Sequence, residues 1–206
     1  MYTPRHFKVD DPNVLFELMR RYSFATLVTV EEGVPVATHL PVIVRREPEG
    51  DRLLGHVARA NPQWKGLSTT REVLVIFEGP HAYVSPSWYA KAPNVPTWNY
   101  AVVHAYGSAR LIEEPAAVVD VLRELTNLHE SRFEQPWRME SAEAYVKGLQ
   151  GGIVAFELSI TRLEGKLKLS QNKSSEDRAG VIAALRRSED ALDRELAELM
   201  ARHASP

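Results

Sequence analysis

Short segments in which apolar and polar residues alternate recur along most of the chain, and they constrain the fold more than any other feature. Six such segments are separated by turn residues or helical stretches: 24–30, 34–44, 52–58, 73–77, 98–112 and 153–163. Because antiparallel strands are joined by short turns, we expect a mainly β fold, a six-stranded antiparallel barrel that is closed or partly closed. So small a barrel fills its interior with side chains, so a large ligand would bind outside it.

Helical periodicity occupies the rest of the chain. A helix is expected after Asp11, with Pro12 in its first turn, and another from Pro115. From Ser174 onward the pattern is helical to the end of the sequence. We therefore expect residues 1–173 to form a barrel with inserted helices, and residues 174–206 to form a helical extension of the same domain.

The composition excludes several classes of protein. The chain has no cysteine, which excludes disulfides, thiolate zinc sites and a cysteine nucleophile. Its formal net charge is −2, which argues against an extended surface for nucleic acid. The sequence has neither an apolar run long enough to span a membrane nor an apolar leader, so we expect a cytoplasmic protein with no membrane partner.

The stretch HVARANPQWK is the first candidate site. Asn61 and Pro62 are typical of a helix start, and the free N–H groups of a helix start suit a phosphate. Arg59 and Lys65 flank that start and could add charge-assisted hydrogen bonds. The alternative interpretation is an ordinary capped helix with solvated basic residues.

Two further stretches could carry chemistry. In VPTWNY, Trp98 and Tyr100 share a strand face with His104, which is either barrel core or a contact surface. In GKLKLSQNK, two alternating lysines precede two amides, which could bind phosphate or the polar edge of an isoalloxazine. The alternative there is a solvated strand end. Four histidines in or near strands lack the spacing of a helical metal motif, so we expect no metal site.

Taken together, these motifs resemble the PaiB-type family of FMN-binding negative transcriptional regulators. The stretches that carry the resemblance are MYTPRHF, HLPVIV, HVARANPQW, FEGPHAYVSPSWY, VPTWNYAVVHAYG and KLKLSQNKSSEDRAGVIAAL. The resemblance runs nearly end to end. It implies an FMN-binding split barrel related to the pyridoxamine-phosphate oxidases, which forms a twofold homodimer with two FMN molecules at the interface.

The resemblance also implies roles for individual residues. Thr38, His39, His56 and Val57 would line the flavin. Arg59, Asn61 and Lys65 would hold its phosphate, although Pro62-Gln63 stands where the oxidases have an Arg-Lys pair. Five more residues match family motifs and are assigned to the same cofactor site: Trp98, Asn99, Lys168, Gln171 and Asn172.

Three functions remain open at this point. The first is an FMN-binding regulator that acts indirectly through a small molecule or a partner, because no helix-turn-helix or basic region predicts direct DNA binding. The second is an FMN-dependent oxidoreductase acting on a small molecule, with its catalytic residues unassigned. The third is haem binding or degradation, because related barrels accommodate haem.

Overall fold

A computed structural model describes residues 1–67 and 69–203, and its main element is an eight-stranded sheet. The strands are β1 (Lys8–Val9), β2 (Phe24–Glu31), β3 (Val34–Pro41), β4 (Ile43–Arg45), β5 (Arg52–Ala58), β6 (Val73–Val84), β7 (Thr97–Ile112) and β8 (Ile153–Lys168). Their order is β3-β2-β6-β7-β8-β5-β4, with β1 paired to β8. The two outermost strands, β3 and β4, do not pair with each other, so the sheet is open. The predicted mainly β class is confirmed, and the sheet has two more strands than predicted.

The two additional strands have local causes. The segment predicted as one strand over 34–44 is interrupted at Val42, whose N–H donates to the carbonyl of Ser23 at 2.9 Å. At that point the chain leaves one neighbour for another, because β3 pairs with β2 whereas β4 pairs with β5. The other addition, β1, has only two residues, too few for a periodic pattern to reveal.

A tight hairpin joins β2 to β3. The strands pair antiparallel from Phe24 opposite Pro41 to Glu31 opposite Val34, which leaves Glu32 and Gly33 as the turn. Both turn residues have positive φ, 51° and 83° respectively. That geometry suits the right-handed twist of the two strands, and it favours glycine at the second position.

Six helices complete the described part of the chain: α1 (Pro12–Arg21), α2 (Trp64–Leu67), α3 (Pro115–Glu130), α4 (Glu143–Leu149), α5 (Ser175–Arg186) and α6 (Ala191–Arg202). Helix α3 packs Val121 and Leu125 against Ile43 and Leu54. The hydroxyl of Ser174 caps α5 by accepting from the N–H of Asp177 at 3.1 Å. Over these ranges no helix combines the length and apolar character needed to cross a bilayer.

The chain divides into two compact units, each built from separate stretches of sequence. Unit 1 comprises Met1–Leu18, Glu78–Val103 and Glu164–Pro206, and unit 2 comprises Met19–Phe77 and His104–Leu163. The divisions fall inside α1, β6, β7 and β8, and the predicted site residues are distributed between the units. Seven of them lie in unit 2, from Thr38 to Lys65, and five in unit 1, from Trp98 to Asn172.

Candidate functional site

A buried glutamine fixes the segment that follows β5 in unit 2. Gln63 is 0% exposed. Its Nε2 lies 3.1 Å from Thr29 Oγ1, 3.1 Å from the carbonyl of Val36 and 3.3 Å from the carbonyl of Leu27. One side chain therefore joins this segment to both β2 and β3, and a buried amide with that many partners is a rigid anchor.

Two predicted site residues complete this network. The hydroxyl of Thr38 donates to Gln63 Oε1 and accepts from Asn61 Nδ2 at 2.8 Å. The Oδ1 of Asn61 accepts from the backbone N–H of Gln63 at 3.1 Å. We call Thr29, Thr38, Asn61 and Gln63 the Gln63 cluster. The structure thus brings Thr38 and Asn61 together, as residues that set the course of the loop.

The short helix predicted to start at Asn61 and Pro62 is present but begins two residues later. Helix α2 begins at Trp64 and ends at Leu67, a single turn. Asn61 Oδ1 accepts from the N–H of Gln63, which is the hydrogen bond expected of an N-cap side chain. A single turn has a small helix dipole, so we expect a phosphate here to depend on the charged side chains of the segment.

Arg59 and Lys65 are the cations that this segment presents. Arg59 Nε donates to the carbonyl of Gly151 at 2.8 Å and Nη2 to that of Ile153 at 3.0 Å, which fixes the guanidinium against the start of β8. Its Nη1 group has no hydrogen-bond partner among the residues described. Lys65 is exposed, and its ammonium lies 5.9 Å from the centre of the Trp64 ring.

The strand residues predicted to line a flavin fall on different faces. His39 is exposed, with Nδ1 3.0 Å from Thr26 Oγ1. Val57 is buried in the core, so only its backbone is available to a ligand. His56 is half-buried, and within the described ranges its buried Nδ1 has no hydrogen-bond partner. Burial lowers the pKa of His56, which favours the neutral imidazole. Its unpartnered Nδ1 could be satisfied by a ligand.

In unit 1, residues at the start of β7 contact residues at the end of β8. Asn99 is buried, and its Nδ2 donates to Ser170 Oγ at 2.9 Å. Lys168 Nζ donates to Thr97 Oγ1. Burial lowers the pKa of Lys168, and the neighbouring charge of Lys166 lowers it further, while Tyr100 raises it. The structure therefore brings Asn99 and Lys168 into one polar region.

The amide predicted as a ligand group at Gln171 is used inside the chain. Its Nε2 donates to the carbonyl of Leu167, and its Oε1 accepts from the N–H of Leu169 at 2.7 Å. Ser170 between them adopts a positive φ of 63°, so the side chain of Gln171 closes a strained turn. Asn172 is exposed and follows this turn.

The face of β7 that carries Trp98 is a surface. Odd-numbered residues from Asn99 to Gly107 are buried, whereas Tyr100 and the following even-numbered residues to Tyr106 are half-buried. Trp98 is 53% exposed, with the rings of Tyr83 and His81 centred 6.0 and 6.3 Å from its own. The sequence left this face as either barrel core or a contact surface, and the exposure of Trp98 excludes the barrel core.

Two polar residues that pattern reasoning missed are Gln63 and Glu157. Glu157 is buried in β8, with Oε2 3.4 Å from Arg52 Nη1 and Oε1 3.0 Å from Arg110 Nη2. For Gln63 no periodic signal existed, because it lies before α2 and outside every strand. For Glu157 no local signal existed, because its partners come from two distant strands.

These donor sets fit a phosphorylated flavin. Arg59 and Lys65 supply cations for a phosphate, and the free Nδ1 of His56 can bond a polar ring edge. A metal centre has no such support, since no three His, Cys, Asp or Glu side chains cluster suitably in residues 1–67 and 69–203.

Comparison with known proteins identifies the family and the fold. The sequence model of a family described as "Putative FMN-binding domain" matches residues 1–162. The chain is 38% identical over 202 residues to the protease synthase and sporulation protein PAI 2 of Bacillus subtilis, covering 97% of this chain and 96% of that protein. It is 33% identical over 184 residues to an uncharacterized protein of Emericella nidulans, covering 71% and 73%.

Two solved structures resemble the fold at low sequence identity. The flavocytochrome Anf3 of Azotobacter vinelandii matches with a TM-score of 0.60 and 19% identity, covering 86% of this chain and 78% of that one. An FAD and heme binding protein of Mycobacterium smegmatis matches with a TM-score of 0.58 and 20% identity, covering 84% and 78%. These likenesses confirm the split-barrel class, and the family match confirms FMN as the predicted cofactor. The chain belongs to the FMN-binding domain family, as its resemblance to the PaiB-type regulators predicts.

Proposed function

We propose that this protein is a homodimeric FMN-binding regulator that acts on gene expression indirectly. The observation that carries the proposal is the Gln63 cluster, which fixes the segment bearing Arg59 and Lys65 before any ligand arrives. A cation carried on a preorganised loop loses less freedom on binding than one on a mobile loop, so more of the binding energy goes into holding the phosphate. Family membership supplies the identity of the phosphorylated ligand.

Residues of the two units have different roles in this proposal. Lys65 contacts the phosphate, and Arg59 holds the start of the segment against β8 through the carbonyls of Gly151 and Ile153. His39 and the unpartnered nitrogen of His56 lie against the ring system. Thr38 and Asn61 act by positioning the loop, and Val57 offers only its backbone. Asn99 and Lys168 provide a second set of polar groups, and Gln171 holds the turn that follows them.

The dimer is proposed from the exposed face of β7. Trp98 is a large aromatic side chain left about half in water beside two further rings. Aromatic residues on a strand face are enriched in protein interfaces, where their area contributes most of the binding energy. A second copy of the chain would cover this face and place residues of both subunits at each flavin.

Indirect regulation is proposed because the helices offer no surface suited to DNA. In α5 and α6 the arginines are interspersed with carboxylates, and Arg186 Nε lies 2.9 Å from Glu198 Oε1. Arg202 likewise lies 3.5 Å from Glu17. The relative from B. subtilis is named for protease synthesis and sporulation, and that name supports a regulatory role.

The test is the visible spectrum of freshly purified protein, read together with its mass in solution. The proposal predicts flavin absorption that co-elutes with a dimer, and flavin that is released as FMN on denaturation. A colourless protein that stays colourless after incubation with FMN would overturn it. Salt-sensitive, sequence-specific DNA binding by the purified dimer at nanomolar concentration would overturn the indirect mode alone.

An FMN-dependent oxidoreductase is the second candidate, and the free nitrogen of His56 favours it. FMN, when bound, would supply the redox chemistry, and the His56 imidazole, whose Nδ1 has no partner in the described ranges, would hold a proton for the reaction. Under anaerobic conditions, bleaching of bound FMN by NADH or NADPH and its return on adding a substrate would support the enzyme. Flavin that is inert to both nucleotides would support the regulator.

A further inference from the structure

A cavity in unit 2 is separate from most of the predicted flavin residues. It measures about 580 Å³ and lies between the start of β8, the end of β7 and the helices α3 and α4. Of the seven flavin candidates in this unit, only Arg59 lines it. Its volume falls in the range of sites that bind drug-sized molecules.

Most of the cavity wall is apolar. The side chains that form it include Trp64, Leu111, Ile112, Val118 and Ile153. All five are half-buried, so each keeps part of its apolar surface accessible to a ligand. A ligand with a ring or branched aliphatic body would bury that surface, which is the main source of affinity in such sites.

The polar groups of the wall favour an anion. Arg59 and Lys147 contribute two positive charges and Glu113 one negative charge, which leaves a formal charge of +1 on the lining. Arg59 is fixed by its bonds to Gly151 and Ile153, and Trp64 Nε1 donates to the Arg59 carbonyl at 3.0 Å. Because this guanidinium is already held in place, its remaining N–H groups can bind a ligand with little further loss of conformational entropy.

An adjoining cavity has no net formal charge. It measures about 310 Å³ and shares Pro115, Lys147 and Gln150 with the first. Its other charged residues are Glu140 and Glu143 with one arginine, Arg123, which is already paired with Asp120 and Glu140. The charges of the two linings therefore favour an anion at the Arg59 end over this one.

We propose that the cavity at Arg59 is an effector site for a small organic anion with an apolar ring body, distinct from the flavin site. The anionic group of the ligand pairs with Arg59 and Lys147, and its ring lies against Trp64 and Val118. Through such a site, a small molecule could control a regulator that acts indirectly. The proposal stands without the flavin, because none of its contacts involves FMN.

The test uses 8-anilinonaphthalene-1-sulfonate and its uncharged analogue N-phenyl-1-naphthylamine as fluorescent probes. The sulfonate should bind the wild type at micromolar concentration, and Arg59→Gln should weaken it by about tenfold, the scale of a charge-assisted contact. Arg59→Gln should leave the uncharged probe unchanged. Val118→Trp fills the cavity and should abolish binding of both probes, and Lys147→Gln, at an exposed position, should weaken only the sulfonate.

Two controls separate this site from the flavin site and from the aromatic surface. Lys65→Gln and Trp98→Ala should leave sulfonate binding within twofold of the wild type, and saturating FMN should not displace the probe. Displacement by FMN would assign the cavity to the flavin and overturn the proposal. Equal sulfonate affinity in the wild type and Arg59→Gln would also overturn it. Absence of FMN binding would contradict the proposed function and leave this site standing.

Discussion

Thr38 and Gln63 are 25 positions apart in sequence, yet the hydroxyl of one donates to the side-chain oxygen of the other. Through this bond the middle of β3 is joined to the loop after β5. The same amide reaches β2, so three chain segments meet at one buried side chain. The loop that carries the proposed phosphate ligands is therefore part of the core, although its basic side chains are exposed.

Replacing Gln63 with leucine should destabilise the protein. The substitution leaves the hydroxyl of Thr38 and the carbonyl of Val36 without this buried partner, which costs about 2–4 kcal/mol in free energy of unfolding. Urea denaturation followed by tryptophan fluorescence measures it. Asn172→Ala, at an exposed position, is the control and should change the value by less than about 0.5 kcal/mol. Equal stability of the two variants would show that the amide is not an anchor.

Glu157 should also be structurally important, because it is a buried carboxylate between two arginines. Glu157→Gln leaves Arg52 and Arg110 without their shared counter-charge and should lower the free energy of unfolding by about 2–3 kcal/mol. The matched control is Glu198→Gln, which breaks the exposed pair with Arg186 and should produce a much smaller change. If both variants lose the same stability, burial of the Glu157 pair has no energetic consequence.

The sequence pattern predicted most of the fold because strands and helices depend on local periodicity. The bounds of β5 and the cap of α5 at Ser174 follow from residues close together in the chain. The split between β3 and β4 was missed, since it arises when the chain changes its pairing partner at Val42. Such a change is a tertiary event with no local signature.

The sequence predicts which residues belong to the candidate site, but it does not predict which of them face a ligand and which hold the chain in place. Gln171 and Asn61 carry amides that suit a ligand, yet both bond to the backbone within two to four residues. Sequence spacing cannot distinguish an amide that faces a ligand from one that closes a turn. Gln63 was interpreted as a departure from a basic motif, whereas burial makes it the centre of the loop.

Stability should depend on pH through His56. Burial lowers its pKa in the folded state, while the unfolded chain titrates near the ordinary value of about 6.5. Between those two pKa values the unfolded state binds more protons, so the free energy of unfolding decreases as pH falls below about 6.5. Burial lowers the pKa of His203 as well, with the same sign.

The measurement compares urea midpoints at about pH 7.5 and 5.5 for the wild type and His56→Gln. The variant should lose part of the decrease seen in the wild type, and His81→Gln, at an exposed position, should retain all of it. An unchanged decrease in His56→Gln would mean that this imidazole titrates alike in the folded and unfolded states.

Self-association should depend on Trp98. Placing a carboxylate in the exposed aromatic surface opposes burial against a second copy, so Trp98→Asp should be monomeric at micromolar concentration. Trp137→Asp is the control, because Trp137 is 44% exposed and lies in a different part of the chain. Light scattering coupled to size exclusion gives the mass of each. A wild-type monomer, or dimers of both variants, would contradict the proposed interface.

The central claim is that a loop fixed by Gln63 presents Lys65 to the phosphate of FMN. Titration of apoprotein with FMN, followed by quenching of flavin fluorescence, tests it with the wild type, Lys65→Gln and Lys91→Gln. We expect a micromolar or tighter Kd for the wild type, a loss of about tenfold in Lys65→Gln, and no change in Lys91→Gln. This claim would be contradicted by a wild type that ignores FMN well above micromolar concentration, or by equal affinity in all three proteins.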